Sequence, residues 1–193
     1  MPVIGGAMPV IAAWDFSTAV SMSAVTKGQL IRGKSGFAGE VGHMTVHPDG
    51  PPCGCGNRGC LETLVSDPAI AAKVGARLGR PLDIDGVVAL YNADPRALDR
   101  EVADILKYLP IALATLINAL NPASLYLHGR LFDLGDDLIP RVLEETRRRA
   151  LGPSFSECEI RRTNGNKRRG ALAAIRRHLI DSLAATPQEN PIY

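Results

Sequence analysis

Cysteine is scarce in this chain, with four among 193 residues. Charge of one sign is scarce too. The formal net charge is +2, so long-range attraction to nucleic acid is weak on average. No apolar run approaches the roughly 20 residues that a membrane-spanning helix needs. The opening MPVIGGAMPVIAAW lacks the basic start and cleavable layout of a secretory signal, and no internal repeat is visible. These absences argue against a membrane protein and a secreted domain, and the expectation is a cytoplasmic protein. In that reducing setting, clustered cysteines favour metal over disulfide. The length suits one domain with a proper core, and a hydrophobic content of 46% argues against disorder.

Strands come first and then alternate with helices, which predicts an α/β layered domain. Residues 8–14 read as a buried strand, 18–26 as a second, and 29–32 as a return strand after the Lys27-Gly28 turn. A loop with Gly33, Gly36, Gly39 and Gly42 follows. This spacing implies a backbone that turns repeatedly or approaches a ligand closely. Residues 61–79 carry apolar positions at helical spacing, interrupted or restarted at Pro68. A short helix is expected near 84–91. A long one is expected from Pro95 to about Ala119, apolar on nearly all sides in its second half, with Pro110 marking a kink or a boundary. Residues 123–129 read as a central strand, Asp136 and Asp137 start a helix, 157–163 is a strand, and 170–183 is a last helix. The single lobe spans 1–183, and 184–193 is a frayed tail.

Three of the four cysteines fall within eight residues, in GHMTVHPDGPPCGCGNRGCLE. Zinc takes four tetrahedral ligands from thiolate and imidazole. Cys53, Cys55 and Cys60 supply three sulfurs, and Gly54, Gly56 and Gly59 let the loop bend around an ion. His43 is the natural fourth ligand and His47 its competitor, so the loop from 43 to 60 reads as a structural zinc site. The alternative is a loop of reduced thiols without metal. A C-x-C pair is too constrained for a relaxed disulfide. Cys158 stands alone in an expected strand and reads as core. Glu40 and Glu62 flank the site. Each has two readings: a carboxylate accepting hydrogen bonds from a sugar's vicinal hydroxyls, or a solvated charge or helix cap. For Glu62 in a first helical turn, the dipole alone is reason enough.

The run Ala38-Gly39-Glu40-Val41-Gly42-His43, followed by Cys53-Gly54-Cys55-Gly56-Asn57-Arg58-Gly59-Cys60-Leu61-Glu62, resembles the signature of the ROK family of bacterial sugar kinases and sugar-responsive transcriptional repressors. The likeness continues through TLINALNP (115–122) and GALAAI (170–175). It implies an actin-like, ribonuclease-H-like architecture, of which this sequence matches the larger C-terminal lobe. It also implies roles. His43, Cys53, Cys55 and Cys60 match zinc ligands. Glu40, His43 and Glu62 match contacts to sugar hydroxyls, with a hexose or N-acetylhexosamine as ligand. A homodimer is implied by the resemblance alone.

The sequence also departs from the family pattern. It contains neither the D-x-G-x-T phosphate segment nor a residue to which the family's catalytic aspartate can be assigned. The family's glycine-rich hairpin, close to G-T-G-x-G-x-G, falls on Ser17, Thr18, Ala19, Ser21 and Ser23, where only Thr18 is kept. The family's G-G near the adenosine appears as His128-Gly129. Thr18 and Gly129 are therefore what remains of a degenerate nucleotide site. The expectation is the sugar-sensing, zinc-containing lobe of a ROK-type regulator, not an enzyme on its own. The alternative is the C-terminal lobe of a glucokinase-like kinase using ATP and Mg²⁺. The basic residues at 147–149, 161–162 and 167–169 are scattered, and no direct nucleic-acid or membrane contact is expected.

Overall fold

The computed structural model describes residues 10–163. The start of the first expected strand, the helix at 170–183, the tail from 184 and the basic residues at 167–169 lie outside the described residues. Five strands form one mixed sheet: β1 (Ile11–Asp15), β2 (Ser21–Thr26), β3 (Gln29–Leu30), β4 (Ser124–His128) and β5 (Glu159–Arg162), in the order β3-β2-β1-β4-β5. β1 is antiparallel to β2 and parallel to β4, and β4 is parallel to β5.

Register decides which side chains reach the core. Ala12 pairs with Ala24 and Leu125, and Trp14 with Met22 and Leu127. Alternate residues of a strand share a face, so Ala12, Trp14, Ala24, Leu125 and Leu127 are buried together while Ile11 stays 44% exposed. Phe16, just past β1, packs edge-on against Phe132 with ring centroids 5.5 Å apart.

Six helices accompany the sheet among the described residues: α1 (Glu62–Val65), α2 (Asp67–Leu78), α3 (Ile84–Ala93), α4 (Asp99–Leu120), α5 (Leu138–Arg147) and α6 (Gly152–Ser156). The stretch over 61–79, expected to be interrupted or restarted at Pro68, is two helices, and the break itself falls at Ser66, two residues earlier. Ser66 is extended and its side chain accepts from the Ala69 amide. Pro68 then sits in the first turn of α2, where a missing N–H costs nothing. A 3-10 turn at Pro95–Leu98 precedes α4, which runs through Pro110 without ending there. Asn121, in the left-handed region at φ 42°, closes it. The second strand starts at Ser21 and not at residue 18, because Asp15 Oδ1 accepts from both the amide and the hydroxyl of Ser17 and bends the chain there. α6 carries no sequence signal beyond Pro153.

The absence of any membrane-length stretch needs one correction. By length and composition the helical segment Pro95–Leu120 is long and apolar enough to cross a bilayer, and half of its most apolar window is buried. The reason lies in its stripe: Ile105, Leu109, Leu113 and Ile117 recur at helical spacing and are fully buried. The opposite side is less apolar than expected, with Ile111 36% exposed and Thr115 and Asn118 at the surface.

Asp67 binds three parts of the fold. Its amide donates to Phe16 O at 2.9 Å. Its carboxylate accepts from the amides of Arg130 at 2.9 Å and Leu131 at 2.8 Å. The exits of β1 and β4 and the start of α2 thus meet on one residue that is 2% exposed. Burial pushes its pKa up, against the pull of those two amides. Asp67→Ala would leave two amides unpaired. The expected loss is about 2–3 kcal/mol, a fall in melting temperature of roughly 5–10 °C for a chain of this size, read by thermal unfolding. An unchanged melting temperature would show that the amides find other partners.

Candidate metal centre

The segment from Gly39 to Leu61 carries almost no regular structure, and backbone contacts hold it in place. The Met22 amide donates to Gly39 O, and the Gly42 amide donates to Val20 O. The repeated glycines expected to turn the chain or approach a ligand here approach β2. A Cβ at Gly39 would lie 1.9 Å from Met22 O, and φ there is +96°. This seats the 3-10 turn Val41–His43 against the sheet, with Val41 and Gly42 buried, and sends His43 outward.

The cysteine loop folds back on itself. Cys53 N donates to Asn57 O at 2.7 Å, Gly56 N to Cys53 O at 3.0 Å, and Gly59 N to Pro51 O at 2.8 Å. The Asn57 side chain donates to Thr45 Oγ1, and Thr45 bridges Cys60. Gly59 is obligatory here: φ is +63° and a Cβ would lie 1.5 Å from His47 O. The loop ends at Leu61, whose amide donates to Met44 O and whose side chain is fully buried. α1 starts at once, so Glu62 stands in its first turn.

These contacts bring four expected ligands together. One donor atom each from His43, Cys53, Cys55 and Cys60 all lie within 4.8 Å of one another. Cys53 Sγ is 3.6 Å from His43 Nδ1 and Cys55 Sγ is 3.8 Å from Cys60 Sγ. A tetrahedral zinc with bonds of about 2.3 Å to sulfur and about 2.0 Å to nitrogen has edges of about 3.8 Å and 3.5 Å, which these two separations match. Sulfurs 3.8 Å apart are not a disulfide, and all four cysteines are free. Cys53 and Cys60 are buried, whereas Cys55 is exposed.

Both glutamates face the histidine. Nδ1 of His43 is 3.5 Å from Glu62 Oε1 and Nε2 is 3.9 Å from Glu40 Oε2. The imidazole, 38% exposed, lies between two carboxylates. Cys53 Sγ also donates to Glu62 Oε1 at 3.1 Å. The Cys55 backbone amide exerts the largest single influence on Cys53 and lowers its pKa. Burial, Glu62 and the two other sulfurs together outweigh it and push that thiol up to about 12. Burial raises Cys60 as well, whereas the Asn57 amide lowers Cys55.

His47, the competing ligand, is outside the cluster. Its ring stacks on Tyr108 of α4, centroids 5.3 Å apart and planes 15° apart, with Lys107 Nζ over the other ring at 4.8 Å. No sequence signal linked His47 to a helix sixty residues away. The Glu62–Cys53 contact was equally hidden, since it depends on how the loop closes. Cys158 is buried in the core, immediately before β5. Of the two residues of the expected nucleotide remnant, Thr18 is in the bend that follows β1 and Gly129 follows β4, so both stand beyond the paired ends of neighbouring parallel strands, where Asp15 pairs with His128. A Cβ at Gly129 would lie 2.8 Å from Phe16 Cβ, so packing alone requires glycine there.

A sequence model described as the ROK family matches residues 10–176. The chain is 36% identical over 160 residues to a glucokinase of Halalkalibacterium halodurans, covering 75% of this chain and 48% of that protein. It is 30% identical over 119 residues to a xylose repressor of Bacillus subtilis, covering 62% of this chain and 31% of the repressor. The crystal structure of a ROK hexokinase from Thermus thermophilus superposes with a TM-score of 0.72 at 31% identity, over 83% of this chain and 54% of that one. The chain thus spans half or less of the curated relatives it matches. The mixed sheet with flanking helices is the actin-like lobe expected from the sequence.

The thiols generate a proton-linkage prediction. Cys53 and Cys60 hold their protons through neutral pH, since both are pushed above the ordinary thiol value. A metal ligated by them has to displace those protons, so affinity falls as pH falls, by about tenfold per pH unit for each proton displaced. Calorimetric zinc titrations in two buffers of different ionisation heat should give one site per chain and at least two protons released. Binding without proton release would remove these thiols from the ligand set.

Proposed function

Because the chain belongs to the ROK family, we propose that it is the sugar-sensing, zinc-containing lobe of a ROK-type transcriptional regulator. Structural zinc is held by His43, Cys53, Cys55 and Cys60. Bound there, it supplies the positive charge that lets three thiolates share one loop, and with four protein ligands it leaves no open position for catalysis. Glu40, His43 and Glu62 take the hydroxyls of a hexose or N-acetylhexosamine. Once Cys53 serves as a ligand, Glu62 no longer receives its thiol proton, and both carboxylate oxygens are free to accept from neighbouring hydroxyls. Nδ1 of His43 belongs to the metal, which leaves Nε2, on the Glu40 side, for the sugar.

One observation carries the choice of regulator over kinase: the contrast between the two halves of the site. The sulfur and glutamate cluster is assembled. The phosphate hairpin carries Ser17, Ala19, Ser21 and Ser23 at the family's glycine positions, and the Ser17 amide already donates to Asp15 at 2.8 Å. A backbone amide committed to an acidic side chain is a poor phosphate donor, and the carboxylate itself repels phosphate. The arginine clusters support the expectation of no nucleic-acid contact from this lobe, since Arg147, Arg148 and Arg149 pair with Glu144 and Glu145 on α5. A single lobe over 1–183, a homodimer and a cytoplasmic location complete the proposal.

The kinase reading keeps one observation in its favour. A cleft of 740 Å³ opens beside Ser17 and Asp67, with Ala71, Gly75, Pro81 and Leu82 among its small apolar walls. Such a cleft suits a planar base. Two measurements test the proposal, and the second separates the readings. Glu62→Gln should lose most of the thermal shift produced by the best-bound hexose or N-acetylhexosamine while zinc content stays at one per chain. Magnesium-ATP should produce no thermal shift in the parent chain. A clear shift with magnesium-ATP would favour the kinase lobe, and a sugar response that survives Glu62→Gln would remove Glu62 from the pocket.

A further inference from the structure

The three sulfurs of the cluster are not equivalent. Cys60 is fully buried and its backbone is tied to Thr45. Cys53 is 8% exposed and lies against His43 and Glu62. Cys55 is open to solvent. Gly54 and Gly56, on either side of it, have free space around them: a Cβ at either would meet no atom within 4 Å. Cys60 Sγ lies 3.8 Å from Cys55 Sγ, and four residues separate the two in sequence. An exposed sulfur on an uncrowded, glycine-flanked turn, with a buried second sulfur behind it, is the arrangement of an attacked and a resolving thiol.

We propose that Cys55 is a site of reversible oxidation by hydrogen peroxide, and that the product, a Cys55–Cys60 disulfide, releases the metal and disables the sugar site. The inference rests on the zinc and sugar reading above and adds regulation to it. The Cys55 sulfur attacks one peroxide oxygen: an S–O bond forms, the O–O bond breaks, and hydroxide leaves, giving a sulfenic acid. The Cys60 sulfur then attacks Cys55: the S–S bond forms, the S–O bond breaks, and a second hydroxide leaves. Two electrons pass from the sulfurs to the peroxide, and the hydroxides take up two protons to become water. Contraction from 3.8 Å to a bond of about 2.05 Å falls on the turn at Gly54 and Gly56. Two of four ligands are then lost. His43 is no longer fixed through Nδ1, and Glu62 regains Cys53 as a thiol donor in place of a sugar hydroxyl.

The experiment uses the zinc-loaded chain. Peroxide is added, metal release is followed with a chromogenic chelator, and the linked peptides are mapped by mass spectrometry. The expected result is one zinc released per Cys55–Cys60 disulfide, with both changes reversed by dithiothreitol and added zinc. Cys55→His keeps a fourth ligand without the oxidisable sulfur, and should hold zinc under the same peroxide. Cys158→Ser should behave as the parent. Zinc retained by the parent with all thiols intact would overturn the proposal, as would release with linkage through Cys53 or Cys158. A chain with no zinc before oxidant would overturn the metal reading and this proposal together. Zinc release with the expected disulfide, but no sugar-induced thermal shift in the reduced chain, would uphold the oxidation step and overturn its link to sugar.

Discussion

Four soft donor atoms within 4.8 Å of one another are costly to assemble unless something shared holds them. The loop that carries them has no helix or strand between the turn at Val41–His43 and the start of α1. Its own resources are two isolated bridges, at Thr45–Cys60 and Pro52–Arg58, and a few backbone bonds. Those bonds are individually worth about 1 kcal/mol, against about 1–2 kcal/mol of backbone entropy for each residue ordered. A common cation changes that balance, because it turns mutual crowding of sulfurs into four directed bonds. Everything proposed for the sugar pocket follows from this, since His43 and Glu62 stand at the two ends of the same loop.

Much of the architecture was legible before any coordinates. Short apolar or alternating runs marked the strands, the helical stripes marked α2 to α5, and the Cys/Gly run marked the cluster. The misses share a cause: local signals that only tertiary context can rank. Pro68 is the conspicuous helix breaker, but Ser66 does the breaking, because its hydroxyl caps the next helix. The glycines at 39 and 42 signalled close approach correctly, but the partner is the β2 backbone. His47 and His43 were indistinguishable as ligands by residue type. The difference is that one ring found Tyr108 first. Asp67 was anonymous in sequence, since nothing local announces that the amides of residues 130 and 131 will arrive at its carboxylate.

Family membership narrows the chemistry without choosing its use. The chain's relatives include a glucokinase and a xylose repressor. A fold hosts function through its sites. Here the Cys, His and Glu side chains are gathered in one loop, while beyond β1 the Ser17 amide is committed to Asp15.

The stack of His47 on Tyr108 ties the cysteine loop to α4, a helix of 22 residues. Such a helix is a rod about 33 Å long, and Tyr108 lies nearly halfway along it. One end adjoins the Pro95–Leu98 turn, and the other the left-handed cap at Asn121 that feeds β4. The stack thus seats the cysteine loop against the middle of the helix that joins those two corners.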